Sequence, residues 1–396
     1  MKKVVLISNY FHFASEKASN RYFELAALLS KEDIELEVIT SRFYQRTKSY
    51  RENTEELKST VPYKVTFIDE PGYSKNISLK RLRTCKVFGK NTLKYLKNSE
   101  KPDLIYQVVP TLDVAKLVSK YAEKEGIPLV IDVQDLWPEA FKMALNIPVV
   151  SDIAFFPIKL KANAVYKRAD AVCAVSETYV NRVLSVNKKC KSGTAVYIGI
   201  NLGNFDANVN EGKVEKTDRP TIVYCGSLEK SYDIRLVIDA LATMKNPPQF
   251  LVMGAGNDLE ALRNYAEEKK VDAVFTGFLP YNEMCGRLCA CDMTVNPIIG
   301  SSVASIINKH GDYAASGLPV LNTQNSPEYC RLVEDYNMGF NCVGATPEQL
   351  AEKIELLMSD EQLRREMGKN ARRCAEEKFD RRNTYRKLVK TVMEFL

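Results

Sequence analysis

Histidine is scarce in this chain, with two among 396 residues, and there is a single tryptophan. A site assembled from several imidazoles, as metal ligands or as acid and base, has little to draw on. No CxxC pair occurs. Ten cysteines are scattered without a framework of spacings, which suits free thiols in a reducing cytoplasm. The cluster Cys285, Cys289 and Cys291 has no nearby fourth ligand, so it reads as a buried helix face and no metal site is expected. A Gly-rich P-loop and a serine nucleophile elbow are also missing. Every apolar run is interrupted by Lys, Asp, Glu or Asn before it reaches bilayer length. The opening MKKVVLISNYF is basic, but its apolar run is short and no small-residue cleavage site follows. It reads as a first strand, not a signal peptide.

What is present suits two domains. The length exceeds an ordinary single domain, and 45% hydrophobic residues suffice for two cores. The net charge of +6 is unevenly placed. Lys75–Lys101 (KNISLKRLRTCKVFGKNTLKYLKNSEK) interleaves basic and apolar residues, and Lys159–Arg168 repeats the theme. Such stretches lie on anionic membrane surfaces, or form solvated helix faces over a buried stripe. No nucleic-acid recognition module accompanies them, so no nucleic-acid partner is expected.

Strands fit at Lys3–Ser8, Glu35–Thr40, Lys64–Ile68, Leu104–Val108, Leu129–Val133, Ala171–Val175 and Ala195–Ile198, with helices between them, as at Asn20–Ser30. Strand–helix alternation of this kind argues for a parallel sheet. The polar, Asn- and Gly-rich stretch over 204–220 reads as a linker. Alternation then restarts with strands at Thr221–Tyr224, Phe250–Met253, Val274–Thr276 and Met293–Val295. Helices are expected at Asp233–Met244, Asp258–Lys269, Tyr281–Ala290 and Ser301–Ser316, and three more close the chain from Pro347. The expected division is 1–203, a linker 204–220, 221–376, and a tail 377–396.

Candidate chemistry falls after predicted strands, where open α/β sheets bind ligands. Ser301–Val320 (SSVASIINKHGDYAASGLPV) offers Ser305 near a helix start for an anion, with Lys309 and Asp312 three apart for a phosphate and for hydroxyls. Gly226–Asp233 (GSLEKSYD) places Lys230 within reach of a diphosphate. Asp132–Glu139 (DVQDLWPE) holds Gln134, Asp135 and Glu139, of which the acids serve as base or hydroxyl ligands, or cap a helix. The loop Asn9–Ser19 carries His12 and Glu16, and Arg21 just beyond it suits an anionic acceptor.

In their order and spacing, NYFHFASEKASNRYFELA, DVQDLWPEA, YKRADAVCAVSE, VYCGSLEKSYDIRLVIDAL, FLVMGAGNDLEAL, FTGFLP and INKHGDYAASGLPVL span nearly the whole chain. Together they resemble the GT-B glycosyltransferases, in particular retaining family 4 and its bacterial capsule and O-antigen enzymes of the fucosamine-transferase type. The resemblance implies an α/β chain of two Rossmann-like domains facing a central cleft, with the tail returning to the first domain. It implies sugar transfer with retention, without metal or resident cofactor, from a nucleotide-sugar to a lipid-linked glycan acceptor at the cytoplasmic membrane face. By the same resemblance Asp312, five before Gly317, binds the nucleotide ribose, and Lys230, Lys309 and Gly226 flank the diphosphate. Gly277–Leu279 line the base pocket, while Gln134, Asp135 and His12 stand near the acceptor.

Three positions depart from the family pattern. Ala304 replaces the first carboxylate of an E-x7-E pair, Gln134 replaces a frequent His, and Gly226–Ser227 replaces a Gly-Arg. Two other readings therefore stay open: a sugar-nucleotide epimerase on the same architecture, or a catalytically silent subunit that binds partners in a polysaccharide assembly complex.

Overall fold

The structure is a computed structural model that describes residues 1–16, 21–76, 78–109, 111–139, 148–190, 193–216, 218–299 and 306–396. Chain contacts divide it into Met1–Val196 with Tyr385–Leu396, and Tyr197–Thr384.

The first unit runs β1 (Lys2–Ile7), α1 (Arg21–Leu29), β2 (Ile34–Ser41), β3 (Phe43–Tyr44), β4 (Ser49–Tyr50), α2 (Thr54–Ser59) and β5 (Lys64–Ile68). It continues with α3 (Leu79–Asn98), β6 (Leu104–Val109), α4 (Leu112–Glu125), β7 (Leu129–Val133), α5 (Pro148–Tyr166), β8 (Ala171–Ala174), α6 (Glu177–Leu184) and β9 (Gly193–Ala195). Seven strands form one parallel sheet in the order β5-β2-β1-β6-β7-β8-β9, and β3 and β4 pair as a small antiparallel ribbon. Strands β6 and β7 are buried at every position, as their unbroken apolar runs require when helices cover both faces. Helices α3, α4 and α5 pack on one face, and α1 packs on the other.

The second unit runs α7 (Leu202–Glu211), β10 (Thr221–Cys225), α8 (Ile234–Thr243), β11 (Gln249–Met253), α9 (Leu259–Glu268), β12 (Ala273–Gly277), α10 (Tyr281–Cys289) and β13 (Met293–Asn296). Then come α11 (Asn308–Ala315), β14 (Val320–Asn322), α12 (Pro327–Tyr336), β15 (Gly339–Asn341), α13 (Pro347–Ser359), α14 (Glu361–Cys374) and the short α15 (Arg381–Thr384). Its six-stranded sheet is parallel, in the order β12-β11-β10-β13-β14-β15. The last helix, α16 (Arg386–Met393), belongs to the first unit, where Leu388, Val389 and Val392 join the apolar cluster of α1.

Several expectations change. The stretch read as a linker contains α7, capped by Asn201, whose side chain accepts from the Asn204 N–H. Leu202 and Phe205 on its inner side are buried, so the helix's three asparagines hid an amphipathic pattern. The helix expected at Ser301–Ser316 is described only over Asn308–Ala315, because Ile307 is extended (φ −109°, ψ 162°). Adjacent β-branched Ile306 and Ile307 favour that conformation. Strand β9 lies at Gly193–Ala195, not Ala195–Ile198, and β14, α12 and β15 were not expected. The tail changes units at Thr384, not at residue 376, and the first unit closes at Val196 instead of residue 203.

Candidate functional site

The C-terminal edge of the second sheet carries the densest polar arrangement. Strands β13, β14 and β15 each end in asparagine, and the register sets Asn296 beside Asn322 and Asn322 beside Asn341. Their amides join in a ladder, Asn296 Nδ2 donating to Asn322 Oδ1 at 2.9 Å and Asn322 Nδ2 to Asn341 Oδ1 at 3.0 Å. His310, in the first turn of α11, is fully buried against this ladder, with Nε2 3.2 Å from Asn296 Nδ2. Its ring stacks on Tyr329 at 3.4 Å and 4°, and its Nδ1 accepts from the Ile307 N–H at 3.3 Å. Burial, and then the nearby Lys309 charge, hold the imidazole pKa well below its ordinary range. His310 is thus a neutral anchor for the start of α11. Tyr313 fixes the same helix to β10: its hydroxyl accepts from the Cys225 N–H at 3.1 Å and lies 3.2 Å from the Cys225 carbonyl.

These anchors place Lys309. Its ammonium donates to the Tyr224 hydroxyl at 2.8 Å and lies 3.5 Å from the centre of the Tyr232 ring. Among the described residues no carboxylate comes within ion-pair distance of it. Burial without an acidic partner lowers its pKa to about 7. The turn after β10 is built around this side chain. A Cβ on Gly226 would stand 1.9 Å from Lys309 Cε and 2.0 Å from Nζ, and Gly226 has φ +146°. Gly254 (φ +156°) is equally constrained, since a Cβ there would meet the Gly226 carbonyl oxygen at 1.7 Å. The Gly254–Gly256 turn after β11 is therefore the backing of the Gly226 loop.

Asp312, three residues after Lys309, takes a different partner. It accepts from the Tyr281 hydroxyl at 2.8 Å, and burial raises its carboxyl to about 6. Lys230 is exposed and makes no ion pair among the described residues. Leu279 is half-buried, whereas its neighbour Phe278 is 83% exposed after Gly277 (φ +71°). Ser305, Ala304 and the expected serine-rich helix start lie outside the described residues, as does Lys17 of the first loop.

The edge of the first sheet differs in that most of its charges are already matched. Arg21 is 2% exposed and donates to Asp132 at 2.8 and 3.2 Å and to the Val196 carbonyl at 2.8 Å, while Tyr106 donates to the same carboxylate at 2.6 Å. Its charge is neutralised inside the unit, which replaces the expected acceptor contact with a structural one. Glu16 likewise accepts from Arg51 Nε at 2.6 Å, Arg51 Nη2 at 3.0 Å and the Phe13 N–H at 2.8 Å. Glu139 accepts from Arg182 at 2.6 Å, leaving its Oε2 buried without a hydrogen bond. Asp135 stays exposed, and its surroundings nonetheless raise its carboxyl pKa by desolvation, opposed by Arg81. Gln134 is half-buried and pinned by its N–H to the Val109 carbonyl at 3.0 Å. His12 packs edge-on to Tyr44, and burial lowers its pKa ahead of a rise from Glu16.

Sequence reasoning passed over His310, Tyr224, Tyr232 and Tyr281. The one available signal was that three strand-like runs end in Asn near a scarce histidine. It also passed over Glu70, which accepts from Ser41 Oγ and whose carboxyl burial raises to about 7. Among the described residues no group of three or more His, Cys, Asp or Glu could hold a metal ion, and Cys285 and Cys291 are buried. Among those residues no helix is long and apolar enough to cross a membrane.

Residues 207–374 match the family model described as Glycosyl transferases group 1. The chain is 22% identical over 235 residues to the uncharacterized glycosyltransferase MJ1069 of Methanocaldococcus jannaschii. That alignment covers 58% of this chain and 59% of the relative's length. Among solved structures, Anabaena Alr3699/HepE in complex with UDP superposes with a TM-score of 0.70 at 16% identity over the whole of both chains. WaaG, a glycosyltransferase involved in lipopolysaccharide biosynthesis, gives 0.62 at 16% identity over 98% of this chain and 99% of its own. The fold is that of the GT-B glycosyltransferases.

Proposed function

We propose that the protein is a retaining glycosyltransferase of the family 4 type that moves a sugar from a nucleoside-diphosphate sugar to a lipid-linked glycan in surface-polysaccharide synthesis. The observation that carries this reading is Lys309, a largely buried cation with no carboxylate partner among the described residues, held by tyrosines against a glycine turn at the strand edge. A site that holds a desolvated cation without a counter-charge is suited to an anionic ligand that supplies one. The diphosphate sits against the outer side of the Lys309 ammonium, alongside the Gly226 turn, with Lys230 as a second cation. Asp312 takes the ribose hydroxyls, and Gly277–Leu279 receive the base. Support for a uridine donor comes from the relative crystallised with UDP and with UDP-glucose.

Bond cleavage at the anomeric carbon leaves charge on the departing diphosphate. Fixed cations and N–H dipoles stabilise it more than they stabilise the ground state. Gln134, Asp135 and His12 attend the acceptor, and no resident cofactor takes part. The test is to incubate the protein with UDP-, GDP-, ADP- and dTDP-sugars and a membrane lipid extract, reading nucleotide release and the anomeric configuration of any glycolipid. Release with retention in one of them upholds the reading. Release with inversion removes family 4, and silence across the panel in the presence of nucleotide binding leaves the partner-binding subunit.

A further inference from the structure

The antiparallel ribbon β3–β4 leaves the first sheet after Ser41 and returns at Arg51. Its base is closed by the Arg42 N–H, which donates to the Ile68 carbonyl at 3.0 Å, and by the Arg51 N–H, which donates to the Arg42 carbonyl at 2.9 Å. On one side the ribbon covers the loop after β1. Tyr44 donates its hydroxyl proton to the Glu16 carbonyl at 3.1 Å and sets its ring against His12, while the Arg51 guanidinium bonds Glu16 and the Phe11 carbonyl. On the other side it rests on the segment after β5. Phe43 packs on Tyr73 with ring centres 5.1 Å apart, and Tyr50 donates to the Glu70 carbonyl at 2.8 Å. Gly72 (φ +70°) lets that segment pass close to the Phe43 ring, which a Cβ there would meet at 2.8 Å.

The Glu70 carboxyl is buried at this second contact. The residue is 8% exposed, its Oε1 shares a hydrogen bond with Ser41 Oγ, and its Oε2 is buried with no hydrogen bond at all. Among the described residues no cation pairs with it. Arg42 pairs with Asp69, Arg51 pairs with Glu16, and Lys48 and Arg81 lie over the Tyr73 ring. Burial raises the Tyr73 hydroxyl and the Cys85 thiol, the latter to about 11, so both stay neutral beside Glu70 near pH 7.

Counting protons shows which form of Glu70 suits this place. Ser41 Oγ accepts from the Phe43 N–H at 2.8 Å and has one proton to give, with two acceptors in reach, Glu70 Oε1 and the Phe43 carbonyl at 3.1 Å. As a carboxylic acid, Glu70 gives its own proton to Ser41, and Ser41 gives its proton to Phe43. As a carboxylate, Glu70 draws the Ser41 proton to itself and the Phe43 carbonyl loses that donor. A buried charge is then left with one hydrogen bond and no cation. Burial accordingly raises the carboxyl to about 7, opposed by the Ser41 bond.

We infer that Glu70 is a proton-operated latch for the β3–β4 ribbon, which as the acid holds the ribbon on the segment after β5 and as the carboxylate loosens it, together with the cover that Tyr44 gives to His12. A lifted ribbon leaves Glu70 in water near its ordinary 4.5, so between about 4.5 and 7 the seated ribbon keeps a proton that the lifted one has lost. Seating therefore weakens as pH rises through that window and stays weak above it. Because His12 and Glu16 belong to the edge assigned above to the acceptor, access to that edge follows pH through this latch. The inference rests on the acceptor reading for this consequence alone.

The experiment is hydrogen exchange of the full chain at pH 6 and pH 8, read over residues 42–51 and corrected for the intrinsic effect of pH on exchange. Opening of the ribbon is expected to increase about tenfold from pH 6 to pH 8, while β11 of the second unit stays unchanged. In Glu70→Gln, which keeps the shape and donates to Ser41 but cannot ionise, protection at both pH values should match that of the wild type at pH 6. Carbon-13 spectra of the wild-type carboxyl groups give a second readout that needs no altered protein to fold: one Glu carboxyl should titrate near 7. Ribbon protection that ignores pH, the same pH dependence in Glu70→Gln, or a full set of Glu carboxyls titrating in the ordinary range would overturn the inference. UDP binding is expected to be the same in Glu70→Gln as in the wild type at each pH. Failure to bind any nucleotide therefore removes the transferase reading without touching the latch, and a failed latch leaves the donor site standing.

Discussion

The two units present the same kind of sheet edge but treat cations in opposite ways. In the first, Arg21, Arg51 and Arg182 each meet a carboxylate, Asp132, Glu16 and Glu139. In the second, Lys309 meets two tyrosines and a glycine turn. A matched cation in a buried place holds the fold together, and removing either partner strands a charge. An unmatched one has a desolvation cost that is relieved by losing its proton or by an anionic ligand. Arg81 marks the limit of the contrast: it lies over the Tyr10 and Tyr73 rings with no carboxylate partner among the described residues.

The largest expected effect breaks the matched side. Arg21→Met leaves Asp132 buried without a counter-charge, with the Tyr106 hydroxyl still donating to it, and chemical denaturation is expected to show a loss of about 3–5 kcal/mol. In the folded fraction of that variant UDP affinity should be unchanged. On the unmatched side, Lys309→Met should weaken UDP binding by at least about thirtyfold in calorimetry while leaving unliganded stability equal or higher. If stability instead collapses as it does for Arg21→Met, the distinction between the two edges fails.

A smaller effect separates protonation from packing. The Lys309 amine is charged below about 7 and neutral above it, so UDP affinity should fall by about tenfold from pH 7 to pH 9. Its folded pKa lies below the unfolded value, so the unfolded chain binds more protons between about 7 and 10.5 and unliganded stability should rise across that window. Stability and affinity therefore move in opposite directions. Lys309→Arg, which stays charged, should flatten both profiles. The smallest effect is at the ribose: Asp312→Ala should cost about tenfold in UDP affinity, with little change for inorganic diphosphate.

Both parallel sheets were legible because buried strands write themselves as unbroken apolar runs such as KVVLI and TIVYC. What escaped was written in polar letters. Helix α7 passes for a linker because its buried stripe is only Leu202 and Phe205 with Val209 beside them. Strands β14 and β15 are three residues each, too short for a period to show. At the candidate site, Lys309, Asp312 and Gly226 could be singled out from sequence, but the reason Lys309 matters could not. That reason is the absence of a carboxylate among the described residues around it, a property of the assembled neighbourhood. Arg21 failed for the mirror-image cause: its partner Asp132 lies 111 residues away.

The most direct test is thermal unfolding of the wild type and Lys309→Met with UDP, GDP, ADP, dTDP and CMP. At about a hundred times the dissociation constant a bound nucleotide adds roughly 2.7 kcal/mol to stability. The expected result is a clear upward shift of the wild type by one nucleoside diphosphate, UDP before the others, and none for Lys309→Met. A shift that survives in Lys309→Met, or a wild type that responds to no nucleotide, would contradict the assignment of this unmatched lysine to a donor diphosphate.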